Sequence, residues 1–168
     1  MKFLVIGLGS MGKRRVRCLQ ALRYTDIVGF DPREDRRKEA KDKYGIETIA
    51  SLELQDLSIF DAFIISTPPN LHTHYAKIAI DYKKPAFVEA SVILEEVKEM
   101  FSYNQNGTFI APSCTFRFHP VIKDITKIIR SGKYGKVTNF SYHSGQYLPD
   151  WHPWEGVNDF YVSKRIMG

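Results

Sequence analysis

An apolar strand that runs straight into a glycine-rich turn constrains this chain more than any other feature. Phe3-Leu4-Val5-Ile6 is a continuous apolar run, and Gly7-Leu8-Gly9-Ser10-Met11-Gly12 follows without a gap. Such a run fits a strand covered on both faces, as in a parallel sheet. The helix expected next carries Val16, Leu19 and Leu22 as its apolar side. The turn matches G-x-G-x-x-G in the strand-then-helix context that gives the pattern its meaning. Each glycine has its own task. Gly7 permits the tight turn, Gly9 lets the backbone approach a diphosphate, and Gly12 lets the helix pack closely on the strand. Leu8, Ser10 and Met11 complete a turn whose free N–H groups and helix dipole favour an anion.

A second marker lies where the first requires it. Asp31 follows the apolar stretch Ile27-Val28-Gly29-Phe30, 19 residues after Gly12 (31 − 12 = 19). A carboxylate there can accept hydrogen bonds from the adenosine ribose and repels the 2′-phosphate of NADP. It could equally cap the next helix, with Pro32 in the first turn. Arg33, Arg36 and Arg37 stand close by, and an arginine fork binds phosphate well. The plainer reading makes them a solvated helical face paired with acids. NAD is the expected cofactor, with NADP as the alternative, and Arg36 joins the expected cofactor-binding residues.

The alternation of strand and helix then continues. Residues 33–43 are nearly all charged, with Glu34/Lys38 and Glu39/Lys43 at the i,i+4 spacing that supports a helix ending at Tyr44-Gly45. Strands are expected at 46–49, 62–65, 86–88 and 108–111, with a weak helical stretch from Ser51. Helices are expected at about 71–82, with Tyr75, Ile78, Ala79 and Tyr82 facing inward, and at 92–104. Short connections between alternating elements imply an α/β fold with a doubly wound parallel sheet, the Rossmann arrangement. After about Phe116 the texture changes. Val121, Ile122, Ile125, Ile128 and Ile129 mark an amphipathic helix, and 137–142 alternates like a strand. The expected domains are 1–117 for the dinucleotide and 118–168 as the incomplete start of an α+β substrate and dimerisation domain. A strand at 137–142 would be unpartnered, so self-association into a homo-oligomer is expected.

Composition narrows the partners. The chain has 168 residues, 24 of them basic and 19 acidic, for a net charge of +5. The basic cluster Lys13, Arg14, Arg15 and Arg17 lacks interleaved aromatics, so it reads as a solvated face or a contact to another subunit or phosphate, and nucleic acid is not expected. Cys18 and Cys114 form neither a disulfide framework nor a metal cluster, and are expected as reduced, partly buried thiols of a cytoplasmic protein. No apolar run approaches a membrane span. His72 and His74 diverge on a helix and make a poor metal pair, so no metal is expected.

Four landmarks together resemble the Gfo/Idh/MocA family of NAD(P)-dependent oxidoreductases. They are residues 7–12, then Ser66-Thr67-Pro68-Pro69-Asn70-Leu71-His72, then Phe87-Val88-Glu89, then Arg117-Phe118-His119-Pro120. The resemblance implies that Ser66, Thr67, Pro68 and Asn70 cross the nicotinamide side, and that Glu89 lies near the nicotinamide ribose or carboxamide. His72, Ala90 and Arg117 fall at matching positions and join the expected cofactor contacts. It also implies hydride transfer at a carbinol carbon of a sugar or nucleotide sugar. Two departures qualify this. The family's Glu-Lys-Pro reads Glu89-Ala90-Ser91 here, so the usual proton-transferring lysine is absent. The asparagine usual before Arg-Phe is replaced by Thr115. The catalytic residue is therefore unknown, with His72 as a weak candidate, although for His72 a hydrogen-bonding role at a helix start is the plainer reading. The chain also stops at Gly168, before the family's catalytic histidine. The expectation is a fragment or remnant, inactive alone, with a non-catalytic NAD(H)-binding sensor or scaffold as the alternative. Trp151, Trp154, His143 and His152 could line a sugar site or simply pack.

Overall fold

The computed structural model describes residues 1–151, 153, 156–158, 160 and 163. His152 and Trp154 lie outside them. The chain divides into two compact units, Met1–Ser113 and Cys114–Ile166.

The first unit is built on six strands: β1 (Phe3–Ile6), β2 (Ile27–Phe30), β3 (Glu47–Ile49), β4 (Ala62–Ile65), β5 (Ala86–Val88) and β6 (Ile110–Pro112). Every pairing is parallel and the order is β3-β2-β1-β4-β5-β6. Helices α1 (Ser10–Ala21), α2 (Glu34–Tyr44), α3 (His72–Asp81) and α4 (Leu94–Tyr103) connect the strands. This is the doubly wound Rossmann sheet. The order reverses between β1 and β4, and that is where such sheets open a crevice at their carboxyl ends.

The two-sided burial of β1 explains its unbroken apolar run. Leu4 and Ile6 point into one core with Ala76, Ala79, Ile80 and Met100. Phe3 and Val5 point into the other with Val16, Leu19 and Ala40. Alternate residues of one strand thus serve opposite layers. Full burial of side chains this size contributes about 1.5–3 kcal/mol each.

Several elements differ from expectation. α2 starts at Glu34 with Arg33 at its cap, not at Asp31-Pro32; the Asp31 carboxylate divides between the Arg33 N–H just before the helix and the Leu8 N–H after β1. Its end at the left-handed Gly45 is as expected. Glu39–Lys43 closes at 2.9 Å, whereas Glu34 and Lys38 form no ion pair among the described residues. The stretch from Ser51 yields only a 3₁₀ turn, Leu57–Ile59. On α3 the buried stripe is His72, Thr73, Ala76, Ala79 and Ile80, while Tyr82 is exposed. Tyr75 and Ile78 pack, partly buried, against the core as expected, whereas Tyr82 turns outward. β6 begins two residues later than expected.

The second unit contains α5 (Thr115–Phe118), α6 (Pro120–Arg130) and α7 (Leu148–Trp151). α6 is amphipathic as expected, but buries none of its residues. Residues 137–142 form no strand. Alternation permits a strand, but pairing makes one, and these residues have no paired neighbour among the described residues. Among the described residues, no helix is long and apolar enough to cross a membrane.

Candidate functional site

Apart from Arg117, the expected residues gather at the carboxyl ends of β1, β2, β4 and β5, within the first unit. Gly7 has φ +90°, and a Cβ there would sit 2.7 Å from the Ser66 carbonyl oxygen. At Gly12 a Cβ would fall 1.8 Å from the Gly7 carbonyl oxygen. Both glycines are required by the protein's own packing. Gly9 is different. Its φ of −67° suits any residue, and a Cβ would meet only the Arg36 guanidinium, at 3.6 Å. It leaves open space above the first turn of α1, where the leading N–H groups lack intrahelical partners. Ser10 and Met11 are exposed beside it. Leu8 is committed inward, its side chain fully buried and its N–H taken by Asp31.

Asp31 ties the crevice together. It is 2% exposed. Oδ2 accepts from the Leu8 N–H at 2.8 Å and from Arg36 at 3.4 Å. Oδ1 accepts from the Arg33 N–H at 3.0 Å. A carboxylate offers about four lone-pair sites, so Oδ1 can accept one more donor. Of the three nearby arginines, Arg33 pairs with Asp35 and Arg37 donates to the Asp31 and Pro32 carbonyls. Only Arg36 lies over the glycine turn. It is not part of a plainly solvated face.

On the other side of the crevice, the Ser66 and Thr67 hydroxyls are buried without hydrogen-bond partners among the described residues. Buried polar atoms without partners are rare and ask for an explanation. Pro68 and Asn70 are exposed on the same loop, Asn70 within the 3₁₀ turn Pro69–Leu71. These orphan hydroxyls, and the open space at Gly9, fit a polar dinucleotide lying across the crevice.

His72 is 2% exposed and holds this loop. Nε2 lies 2.8 Å from the Thr67 carbonyl oxygen, which only accepts, so Nε2 carries the proton. Nδ1 then accepts from the Ser91 hydroxyl at 2.8 Å. Burial pushes the imidazole pKa below its ordinary 6.5, against smaller opposing effects of the Thr67 carbonyl, Glu89 and Glu96. Both ring nitrogens of His72 are thus engaged within the protein. An unfolded chain takes up a proton at His72 near 6.5 that the folded chain refuses, so this residue's contribution to stability falls as pH drops below about 6.5. Thermal melts from pH 7.5 to 5.5 should show that decline in the unaltered protein and a shallower one in His72→Asn. Parallel slopes would reject the assignment.

Glu89 is nearly buried at the end of β5. Its Oε1 accepts from Arg15 Nε at 2.5 Å. Ala90 is exposed and, with Ser91, Val97 and Met100, lines a cavity of about 300 Å³ beside α4. Arg117 lies in α5 of the second unit, and its N–H donates to the Cys114 carbonyl.

Sequence reasoning missed five participants. Arg15 is not on a solvated face. It stands three residues after Gly12 and four before Leu19, which is helical spacing for the buried side. Lys13 likewise pairs with Glu39 at 2.6 Å. Gly29 makes room for Leu8, since a Cβ there would lie 2.8 Å from a Leu8 methyl. A glycine inside a strand signals such close approach. Ser91 and Ser113 left no signal. Both cysteines are exposed rather than partly buried. Cys18, two residues from Val16, faces away from the core.

Comparisons with known proteins agree with this geometry. The model of an oxidoreductase family with an NAD-binding Rossmann fold, GFO_IDH_MocA, matches residues 1–106. No curated protein matches the chain in sequence. Among solved structures, a probable dehydrogenase from Thermotoga maritima is 25% identical with a TM-score of 0.71, over 80% of this chain and 42% of that one. The WlbA dehydrogenase from Bordetella pertussis, solved with NADH and UDP-GlcNAcA, is 18% identical (TM-score 0.69, 80% and 43%). The myo-inositol 2-dehydrogenase from Lactobacillus plantarum is 21% identical (TM-score 0.70, 82% and 43%). The chain thus spans 42–43% of the length of these structures.

Proposed function

The chain belongs to the Gfo/Idh/MocA oxidoreductase family, its NAD-binding Rossmann domain covering residues 1–106, and from that premise we propose how this copy of the fold works. It holds NAD across the crevice and serves as the cofactor-binding part of an oxidoreductase acting at a carbinol carbon of a sugar or nucleotide sugar. The open space at Gly9 is the observation that carries the reading, because nothing in the protein's own packing requires a glycine there. The leading amides of α1 receive the diphosphate. Asp31 Oδ1 accepts from the adenosine ribose, and Arg36 flanks the same position. The Ser66 and Thr67 hydroxyls, with Pro68 and Asn70, bound the nicotinamide half, braced by His72, and Glu89 faces it. On the family resemblance, the residues from 118 on begin a substrate and dimerisation domain. NAD is preferred over NADP because the Asp31 charge opposes a 2′-phosphate.

Bound NAD supplies the hydride acceptor. The proton of the substrate hydroxyl needs a separate base, and Ala90 cannot be that base. His72 is occupied and neutral. Residues 1–113 therefore bind the cofactor without completing the reaction, and the chain is inactive alone. The sugar-type substrate rests on the dehydrogenases that share the fold, one solved with UDP-GlcNAcA and one named for myo-inositol. The exposed apolar face of α6 favours homo-oligomerisation, and the free cysteines suit the cytoplasm. Ala90 also favours a second reading, a non-catalytic NAD(H) sensor or scaffold.

Thermal shift and NADH fluorescence test the binding. Ligand at about 100 times its Kd stabilises by about 2.7 kcal/mol without any catalysis. NAD and NADH should raise the melting temperature and NADP should raise it less. No shift with any of them at millimolar concentration would overturn the proposal. Turnover on a sugar panel by this chain would overturn its inactivity alone.

A further inference from the structure

One cation gathers the far half of the crevice. Arg15 leaves α1 on its buried side, and its side chain is 19% exposed. Its Nε donates to Glu89 Oε1 at 2.5 Å, and one terminal nitrogen reaches the Ser113 hydroxyl at 3.4 Å. The guanidinium carbon lies 4.6 Å from the Phe87 ring centroid. Arg15 therefore touches the ends of β5 and β6 from the helix whose first turn faces the glycine loop. A buried ion pair is a weak source of stability, and apolar replacements often do as well. Its presence at the carboxyl ends of the strands calls for a different reason.

We propose that Arg15 is a positioning residue for the nicotinamide half of the dinucleotide, acting through Glu89. It clamps Oε1 and so fixes the direction in which Oε2 is presented. Among the described residues Oε2 has no hydrogen-bond partner, so it is available to a ligand donor. The doubly wound sheet consists of two mononucleotide-binding halves. Asp31 serves the half on β1 to β3, and Glu89 stands at the equivalent edge of the half on β4 to β6. Arg15 thus governs affinity for the nicotinamide end and leaves the ADP-ribose end alone. This inference rests on the dinucleotide reading above.

Calorimetric titration of the 168-residue chain with NADH and with ADP-ribose separates the two halves. In Arg15→Met, NADH affinity should fall about tenfold or more while ADP-ribose affinity stays within about twofold. Glu89→Gln should reproduce the split, and Arg15→Lys should recover part of it. The double variant should be no weaker than either single one, because both remove one coupled interaction. Parallel loss of ADP-ribose affinity would overturn the proposal, since it would mean that Arg15 acts on the diphosphate as a charge. Additive losses would overturn it as well. Should Arg15→Met fail to fold, the split in Glu89→Gln and its recovery in Arg15→Lys decide the matter. An unaltered chain that binds neither ligand would instead defeat the dinucleotide reading itself, and this one with it.

Discussion

Replacing Gly9 by alanine is expected to leave the protein folded and to abolish most of its dinucleotide binding, whereas the same change at Gly12 should weaken both the fold and the binding. The two positions are three residues apart in one motif, yet they answer to different physics. At Gly12 the new methyl would lie 1.8 Å from the Gly7 carbonyl oxygen, a backbone atom that cannot move aside without moving β1. Overpacking of that severity costs about 3 kcal/mol or more. At roughly 2–4 °C per kcal/mol, the melting temperature should drop by about 6–12 °C. At Gly9 the methyl meets only the Arg36 guanidinium, at 3.6 Å, and the backbone is already extended. Alanine is a poorer helix cap than glycine, but it also restricts the unfolded chain by about 0.4–1 kcal/mol. These effects nearly cancel, so the melt should barely change. The methyl instead occupies space assigned to the diphosphate, and NAD affinity should fall about 10- to 100-fold. Thermal melts and NADH titration of the two variants check this directly. A Gly9→Ala protein that binds NAD normally, or that is as unstable as Gly12→Ala, would show that the space at Gly9 has another purpose.

The contrast also shows how far such a chain can be read in advance. The strands were legible because each central one is buried on both faces and so carries no polar interruption. The turn was legible because its glycines stand at a strand–helix junction. What escaped depended on which partner wins a shared group. Asp31-Pro32 has the form of a helix start, but the carboxylate is shared between the Arg33 N–H and the Leu8 N–H 23 positions away, and α2 begins at Glu34 instead. Arg15 sits in a run of basic residues that looks solvated as a run, and only its helical register with Gly12 and Leu19 points it inward. Residues 137–142 alternate as a strand should, yet Val137, Phe140 and Tyr142 are 57%, 78% and 58% exposed, and no strand among the described residues pairs with them. Pattern specifies which side of a residue seeks burial. It does not supply the surface that buries it.

Asp31 is where the fold and the cofactor choice meet, and its loss should affect both. In Asp31→Ala the buried Leu8 N–H, the Arg33 N–H and Arg36 all lose their acceptor. An orphaned buried donor costs about 1–3 kcal/mol, and bonds to a charged acceptor stand at the upper end of that range. The expected destabilisation is about 2–4 kcal/mol. Asp31→Asn is the sharper experiment. Its amide keeps one acceptor oxygen but places an NH₂ where the carboxylate had a second, so one of the two backbone donors must face another donor. Some instability should therefore remain even though size is conserved. The charge, meanwhile, is gone, and Arg36 is left beside the ribose position with no anion to offset it. Affinity for NAD should fall and affinity for NADP should rise, moving their ratio toward NADP by about tenfold, or about 1.4 kcal/mol. Adding Arg36→Ala should cancel the NADP gain without restoring NAD, because the arginine supplies the attraction and the aspartate the ribose contact. Titration of the single and double variants with both cofactors measures these terms separately. An unchanged NAD-to-NADP ratio in Asp31→Asn would mean that this carboxylate serves only to hold the glycine turn, and that the ribose is gripped by something else.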